Sequence, residues 1–299
     1  MRVHILGSAA GGGFPQWNCN CINCNGVRTG SLRAKPRTQC SVAVSADGSR
    51  WTLLNASPDL RTQISSFPDL LPASGVRGSS IDAVLLTDAE LDHITGLLSL
   101  REAQPLPLFC TPRVFDWIFA TNPIFAALNQ PERLRVTLVD NCKPETLRCG
   151  LGFEAFFVSG KVPAYVKRPP ENHVGAAVAY KIIDARAGSS IVYVPAIRQI
   201  DENFIALAGD CDCLLFDGSF WSENEMELRG AGTRTAAAMG HIPISGSDGS
   251  LARLGDLSIR KIYTHINNTN PILDENSAER REVERAGWEV AEDGMDFVL

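Results

Sequence analysis

Ala83-Val84-Leu85-Leu86-Thr87-Asp88-Ala89-Glu90-Leu91-Asp92-His93-Ile94-Thr95-Gly96-Leu97 begins as a buried strand, stops abruptly in three carboxylates and a histidine, and resumes as a helix. The helical part runs from His93 to Arg101, with Ile94, Leu97, Leu98 and Leu100 on one face. In an extended loop, residues two apart project to the same side, so Asp88, Glu90 and Asp92 are expected to converge on one point while His93 turns in from the helix start. One metal ion would neutralise that crowding. The competing reading makes Asp92 a helix cap and leaves the other acids solvated.

Two further segments favour the metal. Leu214-Leu215-Phe216-Asp217-Gly218-Ser219 is a second apolar strand that ends in a carboxylate, and Ile262-Tyr263-Thr264-His265 is a third that ends in a histidine, followed by the amides of Asn267, Asn268 and Asn270. The carboxyl ends of strands in α/β sheets are where sites usually form. Asp92, His93, Asp217 and His265 are therefore the candidate active-site ligands. Asp88 and Glu90 could supply a weaker second site of oxygen ligands, or accept protons near a substrate. Two imidazoles with one or two carboxylates suit non-haem Fe(II) with open positions; zinc is the alternative.

Working outward, short apolar runs predict strands at Val3 to Leu6, Val42 to Ser45, Trp51 to Leu54, Ala83 to Thr87, Phe153 to Val158, Ala177 to Ile183, Ile191 to Val194, Leu214 to Asp217 and Ile262 to Thr264. Ser57-Pro58 opens a helix over Asp59 to Ser65, Thr111-Pro112 opens another, and a charged helix covers about Asp274 to Ala286. This order fits a four-layer α/β/β/α sandwich, with a doubly wound parallel sheet as the fold-level alternative. No linker or internal repeat divides the chain, so one domain is expected over residues 1–299.

The chain has 44% hydrophobic and 21% charged residues, which is ordinary for a globular protein, and its net charge of -6 offers no basic field for a phosphate backbone. Nucleic acid is therefore not an expected partner. The first apolar run is too short for a signal peptide, and no stretch approaches the roughly 20 apolar residues of a membrane helix. A cytoplasmic protein without membrane insertion is expected.

Cys19-Asn20-Cys21-Ile22-Asn23-Cys24 places three thiols within six positions of a loop that follows Gly11-Gly12-Gly13. Thiolates so close repel unless a cation holds them, and tetrahedral zinc needs one further ligand, for which Asn268, His241 and Cys40 are all open. This structural zinc would pin a loop rather than do chemistry. Cys40, Cys110, Cys142 and Cys149 lie alone and read as small buried hydrophobes, as do Cys211 and Cys213 before their apolar strand.

The strand, the loop in the register of the signature H-x-H-x-D-H, and the strand-end Asp217 and His265 resemble the metallo-β-lactamase superfamily. Asp88 and Glu90 stand where that signature has its first two histidines, and Val158-Ser159-Gly160-Lys161 fills the register of another. No ligand role carries over to His173, in a Pro-rich loop. A two-zinc hydrolytic centre, as in a zinc phosphodiesterase, is accordingly disfavoured.

A narrower likeness rests on Pro15-Gln16-Trp17-Asn18-Cys19, Arg37-Thr38-Gln39, Asn55-Ala56-Ser57-Pro58-Asp59, Leu97 to Glu102, Gly240-His241-Ile242-Pro243-Ile244 and Thr264 to Pro271, which span nearly the whole chain. These tracts are similar to the PQQ synthesis protein B family. The resemblance implies a step in making pyrroloquinoline quinone (PQQ) from a precursor derived from glutamate and tyrosine, and hydroxylation of the tyrosyl ring is the step that the ligand set suits. A soluble carrier of PQQ or its precursor is the other implied role, and a homodimer stays open. Asp92, His93 and His265 would be the catalytic centre, with His241 as proton donor or substrate partner. Arg37, Gln39 and Arg61 are candidates to meet precursor carboxylates, against the plainer reading that they serve the structure.

Overall fold

The structure is a computed structural model that describes residues 1–102, 105–169 and 171–299. Its strands are β1 (Arg2–Gly7), β2 (Ser41–Ser45), β3 (Trp51–Leu54), β4 (Ile81–Leu85), β5 (Leu106–Cys110), β6 (Leu134–Leu138), β7 (Pro144–Thr146), β8 (Gly152–Val158), β9 (Ala177–Asp184), β10 (Ser189–Val194), β11 (Cys213–Asp217), β12 (Arg260–Thr264), β13 (Trp288–Val290) and β14 (Asp296–Val298). They form two seven-stranded sheets, ordered β14-β1-β2-β3-β4-β5-β6 and β13-β12-β11-β10-β9-β8-β7. Each is mixed: β3 to β6 and β10 to β13 pair in parallel, and the remaining neighbours pair antiparallel. A doubly wound parallel sheet is thereby excluded.

The period-2 alternation of the strands builds the layers. Cys213 and Leu215 of β11 join Ile191 and Tyr193 of β10, Ile5 of β1 and Val42 of β2 in a core between the sheets. Their sequence neighbours Leu214, Phe216, Val192 and Val194 face the other way and pack with Phe204, Leu254 and Val283 of the helical layer beyond. On the outside of the first sheet, Leu53, Val84 and Leu108 meet Leu60, Ile94, Leu97 and Trp117. The result is the metallo-β-lactamase fold, an α/β/β/α sandwich. Among the described residues, no helix is long and apolar enough to cross a membrane.

Strand ends moved by a residue or two from expectation, and the helix after the first site strand is tighter than expected, with Leu91–Ile94 α-helical and Thr95–Glu102 3-10. β5, β6, β7, β13 and β14 carried weak signals: β5 contains Pro107, which removes a ladder donor, and β7, β13 and β14 have only three residues each. Cys40, Cys110, Cys149, Cys211 and Cys213 are buried as expected, but Cys142 is exposed, which corrects that reading; it sits at a turn with φ 56°.

Candidate metal centre

Asn55 closes the end of β3 in a left-handed conformation, φ 65°, and its side chain clamps the segment after β4. Its Oδ1 accepts from the Thr87 N–H and its Nδ2 donates to the Thr87 hydroxyl, both at 2.9 Å. The next residues grip the helix that follows: Ala56 N–H donates to the His93 carbonyl at 2.7 Å, and Gly96 N–H to the Ala56 carbonyl at 2.9 Å. Gly96 is required by close approach, because a Cβ there would stand 2.2 Å from the Ser57 carbonyl oxygen. The second sheet joins at the same edge, where Val178 N–H reaches the Thr87 carbonyl and the Tyr180 hydroxyl reaches that of Leu86. His265, one residue past β12, takes φ 56°, a conformation that costs a histidine of order 1 kcal/mol and turns the chain at the site.

These elements bring Asp92, His93 and His265 together, with one ligand atom from each lying within 4.8 Å of the others. The His93 and His265 rings are 5.0 Å apart, and His265 Nε2 is 3.2 Å from Asp92 Oδ2. His93 donates from Nδ1 to the Asp88 carboxylate at 2.8 Å, which leaves Nε2 as the ligating face; that atom is buried with no hydrogen-bond partner. Burial alone would lower the His93 pKa, but Asp88 and then Asp92 raise it to about 9. Asp92 is pushed up by burial, yet His93 and then His265 hold it well below the usual carboxylate range. A cation would meet the same surplus of negative charge.

Among the described residues, Asp88 and Glu90 do not join either ligand group around Asp92, His93, Asp217, His241 and His265. Both Asp88 oxygens are engaged by His93, and they also accept from the Thr87 hydroxyl and the Glu90 N–H. Glu90 turns instead toward Lys161, 3.5 Å from its Nζ. The three acids therefore line one cavity but take separate partners: Asp88 is caught by a short turn and Asp92 is already on the helix.

Asp217 groups with His241 and His265 rather than with Asp92 and His93. Its carboxylate accepts four hydrogen bonds, from Ile197 N–H, His241 Nδ1, Ser219 N–H and the Ser219 hydroxyl, and Asp217, His241 and His265 together offer ligand atoms within 4.8 Å of one another. Ser219 Oγ in turn lies 2.8 Å from His265 Nδ1, so the imidazoles of His241 and His265, 5.2 Å apart, are both fixed through Nδ1. All three histidines, Asp88, Glu90, Asp92, Lys161, Ser219, Phe220 and Asn267 line one cavity of ≈ 190 Å³. Neither His173, Arg37, Gln39 nor Arg61 lines it. Arg37 is buried on the carbonyl of Ala291, Gln39 binds Asp59 and Gly12, and Arg61 is exposed. Lys161 is the residue that the sequence reading passed over, although Gly160-Lys161 stood in the register where the superfamily pattern has a histidine.

Cys19, Cys21 and Cys24 form a separate group with ligand atoms within 4.8 Å of one another. Of the three candidates for a fourth ligand, the structure brings only Asn268 there: its side-chain amide is 3.1 Å from Cys19 Sγ, 3.6 Å from Cys21 Sγ and 3.3 Å from Cys24 Sγ. An amide turned over at χ2 would aim its oxygen at the same point. Cys40 lies elsewhere, buried against Tyr193 and Thr264, where burial pushes its thiol up to about 12. His241 belongs to the cavity.

The family model described as "Beta-lactamase superfamily domain" matches residues 50–266. "Coenzyme PQQ synthesis protein B" of Pseudomonas putida is 44% identical, with all of both chains covered. The crystal structure of Zn(2+)-bound PqqB from Methylobacterium extorquens superposes with a TM-score of 0.93 at 42% identity, again covering all of both chains. A diphosphatase from the PhnP family superposes with a TM-score of 0.67 over all of this chain and 97% of its own, but at 21% identity it speaks for the fold alone. The chain belongs to the β-lactamase superfamily and, within it, to the family of coenzyme PQQ synthesis protein B.

Proposed function

We propose that this protein acts in PQQ biosynthesis as a metal-dependent hydroxylase of the tyrosyl ring of a small precursor derived from glutamate and tyrosine. The observation that carries the reading is the donor set of Asp92, His93 and His265 beside one cavity, with His93 Nε2 buried and unpartnered. Two imidazoles and one carboxylate leave open positions and suit Fe(II), whereas zinc would accept the same donors without redox chemistry. Bound there, Fe(II) would supply the activation of oxygen. Asp88 and Ser219 hold the rings of His93 and His265 in their ligating orientation. His241, fixed by Asp217 through Nδ1, has Nε2 free to take up or return a proton at the ring. Phe220 gives the cavity an apolar wall for an aromatic group. Cys19, Cys21, Cys24 and Asn268 fit a structural zinc that ties the loop of Gly11 to Cys24 to the segment carrying Asn267 and Asn268. The setting proposed is the cytoplasm, with the precursor as the partner molecule.

Protein loaded with Fe(II) without oxygen, then given oxygen and glutamyl-tyrosine, should yield a dihydroxyphenyl product by mass spectrometry. Absence of product with iron, manganese, cobalt and zinc alike would reject the hydroxylase. Saturable binding of PQQ without turnover would then point to a carrier, and zinc-dependent cleavage of a chromogenic phosphodiester to a hydrolase.

A further inference from the structure

We infer that Lys161 reads the C-terminal carboxylate of the substrate at the mouth of the metal-side cavity; the inference rests on the precursor proposed above. Among the described residues lining that cavity, Lys161 is the single Lys or Arg, and it shares the cavity with Asp88, Glu90 and Asp92. Its Nζ stands 3.5 Å from Glu90 Oε1, beyond the usual length of an N–H···O hydrogen bond, and that oxygen is buried with no hydrogen-bond partner. A charge-assisted N–H···O hydrogen bond is shorter, about 2.7–2.9 Å. This one stays loose, so the ammonium keeps its donors for another acceptor.

The side chain is also built into place. A Cβ on Gly160 would lie 2.5 Å from that of Ala177, so the loop is pressed onto β9 as only glycine allows. A Cβ on Gly240, at φ 91°, would lie 2.7 Å from Lys161 Cδ, so the lysine stem crosses a backbone that has no side chain to obstruct it. A surface lysine with a solvated role needs neither accommodation. One cation among three carboxylates favours a singly charged anion over a phosphate, whose second charge would meet the acids unpaired. A cavity of ≈ 190 Å³ admits a group of side-chain size.

The test compares glutamyl-tyrosine with its C-terminal carboxamide, in both binding and turnover. Calorimetric binding to zinc-loaded protein is read apart from catalysis, so failure of the hydroxylase would leave this arm intact. Wild type should bind the acid about 10- to 100-fold more tightly than the amide. Lys161→Met should erase that ratio, and Lys161→Arg should restore part of it. Glu90→Gln, which removes the competing carboxylate, should widen the ratio and serves if Lys161→Met does not fold. Equal binding of acid and amide by wild type, or equal losses for both in Lys161→Met, would overturn the assignment.

Discussion

Asp88 sets both of its carboxylate oxygens 2.8 Å from Nδ1 of His93, and the other nitrogen of that ring is left buried and unpaired. A carboxylate expected to bind metal therefore works one bond further out, where it selects the tautomer and aim of a histidine. In a site with one histidine from a helix start and another from a strand end, that fixed aim decides whether the rings share an ion.

Replacing Asp88 by Asn keeps the shape but offers His93 an amide that can donate as well as accept. The ring loses its enforced tautomer. Metal affinity at the cavity site should fall about 10- to 100-fold, as is usual when an outer partner of a ligating histidine is lost. Metal content after dialysis against graded chelator reads this directly, and retention equal to wild type would show that Asp88 has no orienting role.

The cysteine cluster should behave as an independent site. Cys24→Ser or Cys19→Ser is expected to release one equivalent of zinc, lower the melting temperature and leave metal at the cavity site bound. Asn268→Asp, which retains an oxygen donor, should keep the zinc, and Asn268→Leu should weaken it. Zinc held equally by Asn268→Leu and wild type would remove Asn268 from the ligand set.

Much of this was legible in the sequence because it was local. Strands such as Leu214 to Asp217 announce themselves by apolar runs, and the three cysteines by spacing alone. His265 and Asp92, 173 positions apart, could be joined in advance only because one sits just past a strand and the other opens the helix that follows one, at an edge that the topology makes common. The partition of roles was not local. Whether Asp88 faced a metal or a histidine depended on the turn made by its carboxylate with the Glu90 N–H, and Lys161 could be read only once Gly240 was seen beneath its stem. Short strands such as Trp288–Val290 are set by their neighbours, not by their own residues.

Gly96 tests how far the grip of residues 55–57 on the site helix governs the centre. Gly96→Ala forces a methyl group toward the Ser57 and Ala56 carbonyl oxygens, 2.2 Å and 2.8 Å from its ideal position. Backbone atoms cannot swing aside as a side chain would. The variant should lose about 2 kcal/mol or more of stability, in the range of overpacked cores, and should also bind metal less tightly because Asp92 and His93 ride on the displaced helix. Urea unfolding and chelator competition measure the two effects, and full stability in Gly96→Ala would show that the contact has room to relax.

Glu225 supplies a pH dependence from a carboxyl that is in neither metal group. Burial raises its carboxyl from 4.5 to about 7, although the Thr269 hydroxyl and the Trp221 N–H, both bonded to it, pull the other way. The side chain is almost wholly enclosed, 2% exposed, so solvent screens little of this. Below pH 4.5 both folded and unfolded chains hold the proton and the group contributes no slope. Between 4.5 and about 7 the unfolded chain has released a proton that the folded chain retains, so stability falls as pH rises, and the loss is complete above about 7. The expected loss is on the order of 3 kcal/mol. Glu225→Gln, which has no proton to release, should lack that slope and gain on wild type between about pH 5 and about pH 8. Urea unfolding of both proteins across this window gives the comparison. Parallel profiles would mean that Glu225 ionises in the folded state as readily as in the open chain.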